Sequence, residues 1–412
     1  MKRAVRRVKS KKVYLITLLS AACVILIAAG IKRFFVHEET EKKIKVGFVY
    51  VGDASDAYTC NFMKAHNAIE NQFKEQVEVN AKYNVSEGKE RDAIQELITE
   101  GCNIIFTTSY GYGETAKEMA QKYPDVEFCQ ATCANANEKP KVKNYHTFMG
   151  RIYEGRYASG VVAGMKLKEL IDNGELEKDE AKIGYVGAYP YAEVISGYTA
   201  FFLGIRSVVE DATMTVMYTN SWSDYAAEKK CAEQLIGEGC VVISQHSDTF
   251  GPAVACEETE AGKAIYHVGY NQSMADVAPT TYLVGSKIDW EPYILSAVRA
   301  VLEEKPIEKT VEGNVNGNDI GAGFDEGWVE MLGLNELIAA KGSKEKMEDV
   351  IEQLKNGEIE VFKGDYTGIN PDDESDIFDL NKGYKENKKC SAPTFNYILK
   401  DVITVDTDFT DD

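Results

Sequence analysis

From residue 43 to residue 269 the chain alternates short β-rich runs with helical stretches, and this rhythm constrains the fold more than any other feature. β-rich runs at 43–51, 77–85, 103–108 and 126–132 are interleaved with helical stretches at 61–73, 91–100 and 114–122. The rhythm restarts after Gly150. Helices at 153–171, 192–209, 225–238 and 251–261 then alternate with strands at 182–187, 213–219, 241–245 and 264–269. Strands joined through helices in this way pair in parallel, and the helices cover the sheet faces. Two such series predict an α/β chain with two doubly wound parallel-sheet lobes. In sheets of this kind, ligands sit beyond the carboxyl ends of the strands. The loops expected to carry function are therefore 52–61, 109–113, 188–193, 220–224, 245–249 and 269–273.

The N-terminus constrains the compartment. Residues 13–31 contain no charged side chain and follow Lys2, Arg3, Arg6, Arg7, Lys9, Lys11 and Lys12. An apolar run of about 19 residues is long enough to span a bilayer or to serve as a signal-peptide core. The basic flank stays on the cytoplasmic side, which sends the chain from about Lys32 outward. Residues 1–33 thus read as a membrane anchor or signal segment, and 34–42 as a polar spacer. Ser20-Ala21-Ala22-Cys23 resembles the site at which bacterial lipoproteins are cleaved and acylated. Ser20 stands where Leu is usual, however, and apolar sequence continues through Ile27. An uncleaved helical anchor is the expectation, with lipidation at Cys23 as the alternative.

The net charge is −20, and the first 33 residues carry nine Lys or Arg and no acid, so the remainder stands nine charges lower at −29. Such a surface repels nucleic acid and anionic lipid, which removes nucleic acid from the partner classes. Cys60, Cys102, Cys129, Cys133, Cys231, Cys240, Cys256 and Cys390 form no CxxC pair, and there are five histidines. That pattern suits no zinc site, and buried free thiols are the expectation. No metal or cofactor is called for.

The strand-end loops share one chemistry. The first supplies Asp53, Ser55, Asp56, Tyr58, Thr59 and Asn61. Others supply Ser109, Tyr110, Tyr189, Trp222, Asp224, Gln245, His246, Ser247, Asp248, Tyr270 and Asn271, while Lys287 and Trp290 follow a further β-rich run. Aromatic faces beside uncharged hydrogen-bonding groups and single acids suit a flat, polar, uncharged ligand such as a nucleoside. Each base–aromatic stack contributes roughly 1–3 kcal/mol. Gly111-Tyr112-Gly113 lacks the GK[ST] or GxGxxG continuation of a phosphate loop. Gly155, Gly160 and Gly164 among small residues point to close helix packing. Asp224 and Glu228 suit a helix N-terminus as well as a ligand contact. No Ser-His-Asp or GxSxG pattern is present.

Several motifs carry a resemblance. The segment 150–164 (GRIYEGRYASGVVAG) is similar to a signature of the basic membrane protein family of substrate-binding proteins. So are 182–187 (KIGYVG), Pro190 with Glu193-Val194, Asn220-Ser221-Trp222-Ser223-Asp224 and Gln245-His246-Ser247-Asp248. The match extends over about 43–290, and 362–364 echoes the family's C-terminal end. The resemblance implies a type I periplasmic-binding-protein fold with two lobes joined by a hinge of crossing strands. It also implies an ABC importer permease as partner and purine nucleosides as the usual ligand class. By position, Tyr58 and Trp222 would stack on the ligand, Asp56, Asn61, Ser109 and Tyr110 would hold the base, and Asp248, Asn271 and Lys287 would hold the ribose. Tyr58-Thr59 stands where many members have Phe-Asn or Trp-Thr, and Asn271 where an Asp is common.

The resulting expectation is a membrane-anchored, monomeric, extracytoplasmic solute-binding protein that captures a nucleoside-like molecule. Lobe 1 would comprise 43–150 with about 275–310, and lobe 2 would comprise 151–274 with about 311–365. Residues 366–412 would form an acidic C-terminal extension. Two rival readings are an extracellular ligand sensor and a nucleoside hydrolase-type enzyme using Asp53, Asp56 or His246 as acid or base.

Overall fold

Residues 43–259 and 264–406 are described by a computed structural model of the chain. The apolar segment 13–31 and Cys23 lie outside the described residues. The chain first builds β1 (Ile44–Val49), α1 (Ala57–Phe73), β2 (Val77–Lys82), α2 (Glu90–Thr99), β3 (Ile104–Thr107), α3 (Gly113–Lys122), β4 (Glu127–Ala131) and β5 (Tyr145–Gly150). It continues through α4 (Ile152–Asp172), β6 (Lys182–Gly187), α5 (Ala192–Arg206), β7 (Thr213–Tyr218), α6 (Tyr225–Gly237), β8 (Val242–His246), α7 (Gly251–Glu258), β9 (Tyr266–Tyr270) and β10 (Tyr282–Ile288). Then come α8 (Glu291–Leu302), β11 (Asn314–Asn316), β12 (Asp319–Ala322), β13 (Val329–Leu332), α9 (Ser343–Lys355), β14 (Thr367–Asn370), β15 (Asp373–Asp379), β16 (Ile398–Leu399) and β17 (Ile403–Asp406).

Among the described residues these strands form two seven-stranded sheets, ordered β11-β12-β5-β4-β3-β1-β2 and β13-β10-β9-β8-β6-β7-β17. Within each sheet only the outermost strand on one side, β11 or β13, pairs antiparallel. Helices cover both faces, which is why β3 (IIFT) and β10 (YLVGSKI) are buried at every residue. This is the two-lobed, doubly wound α/β architecture that the βα rhythm predicts.

The division of the returning chain differs from the sequence expectation. Residues 282–288 do not join the first sheet: β10 pairs in parallel with β9 in the second. Residues 314–322 return to the first sheet, where β12 pairs with β5. In the second sheet β10 lies between β9 and β13, and it is buried at every residue there. The strand β5 is one that periodicity leaves unassigned. His146 interrupts its apolar pattern and is buried between the carboxylates of Glu127, at 2.8 Å, and Glu308, at 2.5 Å. The expected acidic extension is folded through residue 406. β14, β15 and β16 form a small antiparallel sheet, and β17 adds to the second sheet beside β7.

Three described segments cross between the lobes: β5 to α4, β10 to α8, and β12 to β13. They are bonded to one another. The Arg151 amide donates to Ala322 O at 2.7 Å, and the Asp289 amide donates to Trp328 O at 2.9 Å. A Cβ on Gly150 would lie 2.8 Å from Ile288, so the crossings touch at a residue with no side chain. In the second lobe α4 and α5 meet at Gly160 and Gly204. A Cβ there would lie 2.0 Å from Phe201 O and 2.2 Å from Tyr157 O. The described cysteines form no disulfide with one another; Cys60 and Cys390 are half-buried and the others are buried.

Candidate functional site

The carboxyl ends of the two sheets face each other across a cavity of about 380 Å³. The loops after β1 to β4 line one side and the loops after β6 to β9 line the other.

On the first-lobe side Asp53 closes the β1 loop. Its Oδ1 accepts from the Ser55 amide at 2.9 Å and the Ser55 hydroxyl at 2.7 Å, and its Oδ2 accepts from Asn84 Nδ2 at 3.0 Å. Those bonds to Ser55 and Asn84 hold its pKa down to about 2. Asp56 caps α1 by accepting from the Thr59 amide at 2.6 Å, and burial raises its pKa. The Tyr58 hydroxyl donates to Thr108 O at 2.5 Å, which fixes a ring packed edge-on against Phe62. Glu87 reaches in from the β2 loop. Its Oε1 accepts from Ser109 Oγ at 2.6 Å and from the Gly111 amide at 3.0 Å. A Cβ on Gly111 would lie 2.3 Å from the Glu87 carboxyl carbon, so only glycine admits this bond.

On the second-lobe side Asp248 Oδ1 accepts from Asn271 Nδ2 at 2.9 Å, and the Asp248 amide donates to Trp222 O at 2.8 Å. Burial raises the Asp248 pKa, and the charge of Asp56 in the opposite lobe raises it further. Asn271 has φ +62, a left-handed conformation that Asn tolerates. An Asp at this position would set a carboxylate against Asp248, whereas Asn brings a donor. Trp222 is half-buried, with Tyr189 edge-on at 5.6 Å and Tyr191 at 6.5 Å. Asp224 caps α6 through the Ala227 amide at 3.0 Å. The two lobes touch across the cleft: Asn61 Nδ2 donates to Asn271 O at 2.9 Å, and the Tyr110 and Tyr191 rings lie 6.3 Å apart.

Ten residues singled out in the strand-end loops line this cavity: Asp53, Ser55, Asp56, Tyr58, Ser109, Tyr110, Trp222, Asp248, Tyr270 and Asn271. Thr59, Asn61, Tyr189 and Lys287 do not. Thr59 lies in the first turn of α1 with its side chain buried behind Asp56. Asn61 is buried and spends its Nδ2 on Asn271 O. Tyr189 stacks on Tyr191 at 5.0 Å, behind Trp222. Lys287 sits opposite Glu330 in the β10–β13 register and pairs with it at 2.7 Å. Trp290 and His246 also lie outside the cavity. Trp290 belongs to the core, and His246 is fully buried, 3.7 Å from the Glu193 carboxylate, with burial lowering its pKa. Sequence reasoning missed Asn84, Glu87 and Thr132 as lining residues. Asn84 and Glu87 follow β2 and Thr132 follows β4, and applying the strand-end rule to those two strands would have found them.

Glu228 supports the Asp248 loop from below. Its Oε2 accepts from Ser247 Oγ at 2.8 Å and from the Thr249 amide at 3.3 Å, and burial lifts its pKa to about 7. Because this folded-state pKa lies above the unfolded value of 4.5, its stabilising contribution is complete below pH 4.5 and is lost as the pH rises to about 7. Urea unfolding between pH 4.5 and 8 is expected to show Glu228→Gln with a flatter profile than wild type, by about 3 kcal/mol over that window. Parallel profiles would contradict this assignment.

A family model described as Bmp, ABC transporter substrate-binding protein PnrA-like, matches residues 43–364. A purine-binding protein of Brucella abortus is 31% identical over 326 residues, 79% of this chain and 84% of that protein. A putative ABC transporter glucose-binding protein of Haloferax volcanii is 28% identical over 322 residues, 78% of this chain and 74% of that one. The solved structure of an ABC transporter solute-binding protein from Aeropyrum pernix K1 aligns with a TM-score of 0.61 at 16% identity, covering 81% of this chain and 95% of that one. One from Conexibacter woesei gives 0.60 at 16% identity, covering 77% and 97%. At these identities the structures establish the fold alone.

Proposed function

We propose, for a chain that belongs to the PnrA-like family of ABC transporter substrate-binding proteins, that it captures a neutral purine nucleoside or a closely similar ligand between its lobes. One observation carries this reading: a single cavity receives aromatic rings and hydrogen-bonding acids from both lobes. Tyr58 and Tyr110 come from the first lobe, and Trp222 and Tyr270 from the second. Asp56 and Asp248 add carboxylate acceptors, one from each side. None of the described residues lining the cavity is Lys or Arg. A phosphate or carboxylate would therefore enter a field of like charge, whereas N–H and O–H donors of a neutral ligand meet acceptors. The Brucella abortus relative, by its description, binds purine. The ribose would rest on Asp248 and Asn271 without Lys287, whose ammonium is held by Glu330.

Capture needs no chemistry. A ligand that touches both lobes stabilises the closed arrangement over the open one, and the crossings act as the hinge. The closed, loaded protein then presents its ligand to an ABC permease at the outer face of the membrane. The segment 13–31 holds it there as an anchor, and the chain acts as a monomer.

Trp222→Ala tests the stacking role. It is expected to weaken adenosine binding about 5- to 150-fold, the loss of one stack of about 1–3 kcal/mol, with little change in the ligand-free melting temperature. Calorimetric titration and thermal melts of the same variant read both quantities. A large drop in melting temperature with affinity unchanged would assign Trp222 to the core instead.

A further inference from the structure

Residues 365–406 lie beyond the segment matched by the family model, yet they are bonded to both lobes. We propose that this extension is an inter-lobe tie that favours the closed cleft, with Ser391 and Asp319 as its positioning residues. The inference concerns lobe motion and does not depend on which ligand the cavity takes.

The root of the tie is in the second lobe. β17 pairs in parallel with β7, and the Met214 amide donates to Val402 O at 3.0 Å. The Tyr366 hydroxyl accepts from Arg206 Nε, on α5, at 2.8 Å. Phe395 stacks on Phe362 at 4.3 Å, and Phe362 in turn packs against Tyr153 of α4.

From this root a loop reaches to the first lobe. The Glu386 carboxylate gathers its far end, accepting from the Phe395 amide at 2.8 Å and from Thr394 Oγ1 at 2.9 Å. Asn387 Nδ2 donates to Ser391 O at 2.6 Å, which sets the tip. The tip lies on β12, the edge of the first sheet's parallel run. The Ser391 amide donates to Asp319 Oδ2 at 2.7 Å, and the Ser391 hydroxyl donates to Asp319 Oδ1 at 2.5 Å. Asp319 is buried and also accepts from Thr147 Oγ1, on β5, at 2.9 Å. A Cβ on Gly321 would lie 3.0 Å from the Ser391 Cβ, so this glycine leaves room for the approach. Asn316 Nδ2 adds a bond to Lys389 O.

The consequence follows from the hinge. The lobes here touch across the cleft through Asn61 and Tyr110, so these bonds belong to the closed arrangement. Opening is a rotation about the crossings that follow β5, β10 and β12, and the extension is fixed to β7 in one lobe and to β12 in the other. Either Ser391 leaves a buried carboxylate or the loop ordered by Glu386 comes apart. Both costs fall on the open state, so the tie shifts the equilibrium toward closure.

The experiment uses the full chain without ligand, comparing wild type, Ser391→Ala and Ser391→Thr. Hydrogen–deuterium exchange of peptides carrying Tyr110 and Tyr191 reads cleft opening, and stopped-flow release of adenosine reads the same motion in the loaded protein. Ser391→Ala is expected to speed exchange in those peptides and adenosine release about 3- to 10-fold, as for the net loss of one hydrogen bond. The threonine variant, which keeps the hydroxyl, should stay near wild type. The ligand-free melting temperature should move by no more than about 2 °C. Cleft exchange equal to wild type in Ser391→Ala would overturn the tie. So would a lowered melting temperature with exchange raised evenly through both sheets, since that marks a merely structural role. If adenosine fails to bind while Ser391→Ala still loosens the cleft, the nucleoside reading fails and the tie stands.

Discussion

Trp290→Ala is expected to cost about 3–5 kcal/mol of folding stability while leaving adenosine affinity within about threefold of wild type. The indole is 1% exposed, stacked on Phe62 at 4.4 Å and edge-on to Phe148 at 5.5 Å. It therefore joins α1 to the first sheet at the point where the chain enters α8. Truncation removes those ring contacts and leaves a cavity that rigid neighbours cannot fill. A loss of this size should lower the melting temperature by on the order of 10 °C. Chemical denaturation and calorimetric titration of the variant measure the two effects separately. Weakened binding with normal stability would place Trp290 in the ligand site and contradict the packing described here.

Asp248→Ala is expected to act in the opposite way, weakening adenosine binding by about 2–5 kcal/mol, or about 30- to 5,000-fold. Asp248 lines the cavity, and the buried Asn271 amide is its side-chain donor partner. Removing the carboxylate deletes an acceptor for the ligand and strands the Asn271 Nδ2 group. Folding should suffer less than binding, because burial and the facing charge of Asp56 already disfavour the ionised carboxylate in the empty protein. Titration with adenosine reads the affinity and urea unfolding reads the stability. A change in affinity below about threefold would remove Asp248 from the ligand-binding set.

The βα rhythm made the two lobes legible because strand and helix periodicities differ and the connections are short. What it could not assign were strands with a polar interruption or a distant partner. His146 in β5 is buried only because Glu127 and Glu308 arrive from elsewhere in the chain. β12 and β17 find their sheets through pairings 172 and about 190 residues away, which no local pattern encodes. The site divided along a similar line. Asp53, Asp56, Tyr58, Trp222 and Asp248 sit where the strand-end rule places them, in the cavity. Lys287 sits at a strand end too, but cross-strand register gives it to Glu330. Thr59 and Asn61 turn inward because α1 begins at Ala57, four residues before the helical stretch read from the sequence. Glu87 depends on a three-dimensional coincidence, a glycine at position 111 that lets its carboxylate cross the next loop.

The most direct test of the central claim is calorimetric titration of the wild-type chain with adenosine, guanosine, adenosine monophosphate and glucose. The account predicts one-site binding of a purine nucleoside, the same nucleoside recovered unchanged, and the monophosphate at least about 100-fold weaker, because the described residues lining the cavity offer acceptors and no Lys or Arg. Glucose binding without nucleoside binding, a monophosphate held as tightly as the nucleoside, or cleavage of the nucleoside during the titration would contradict it.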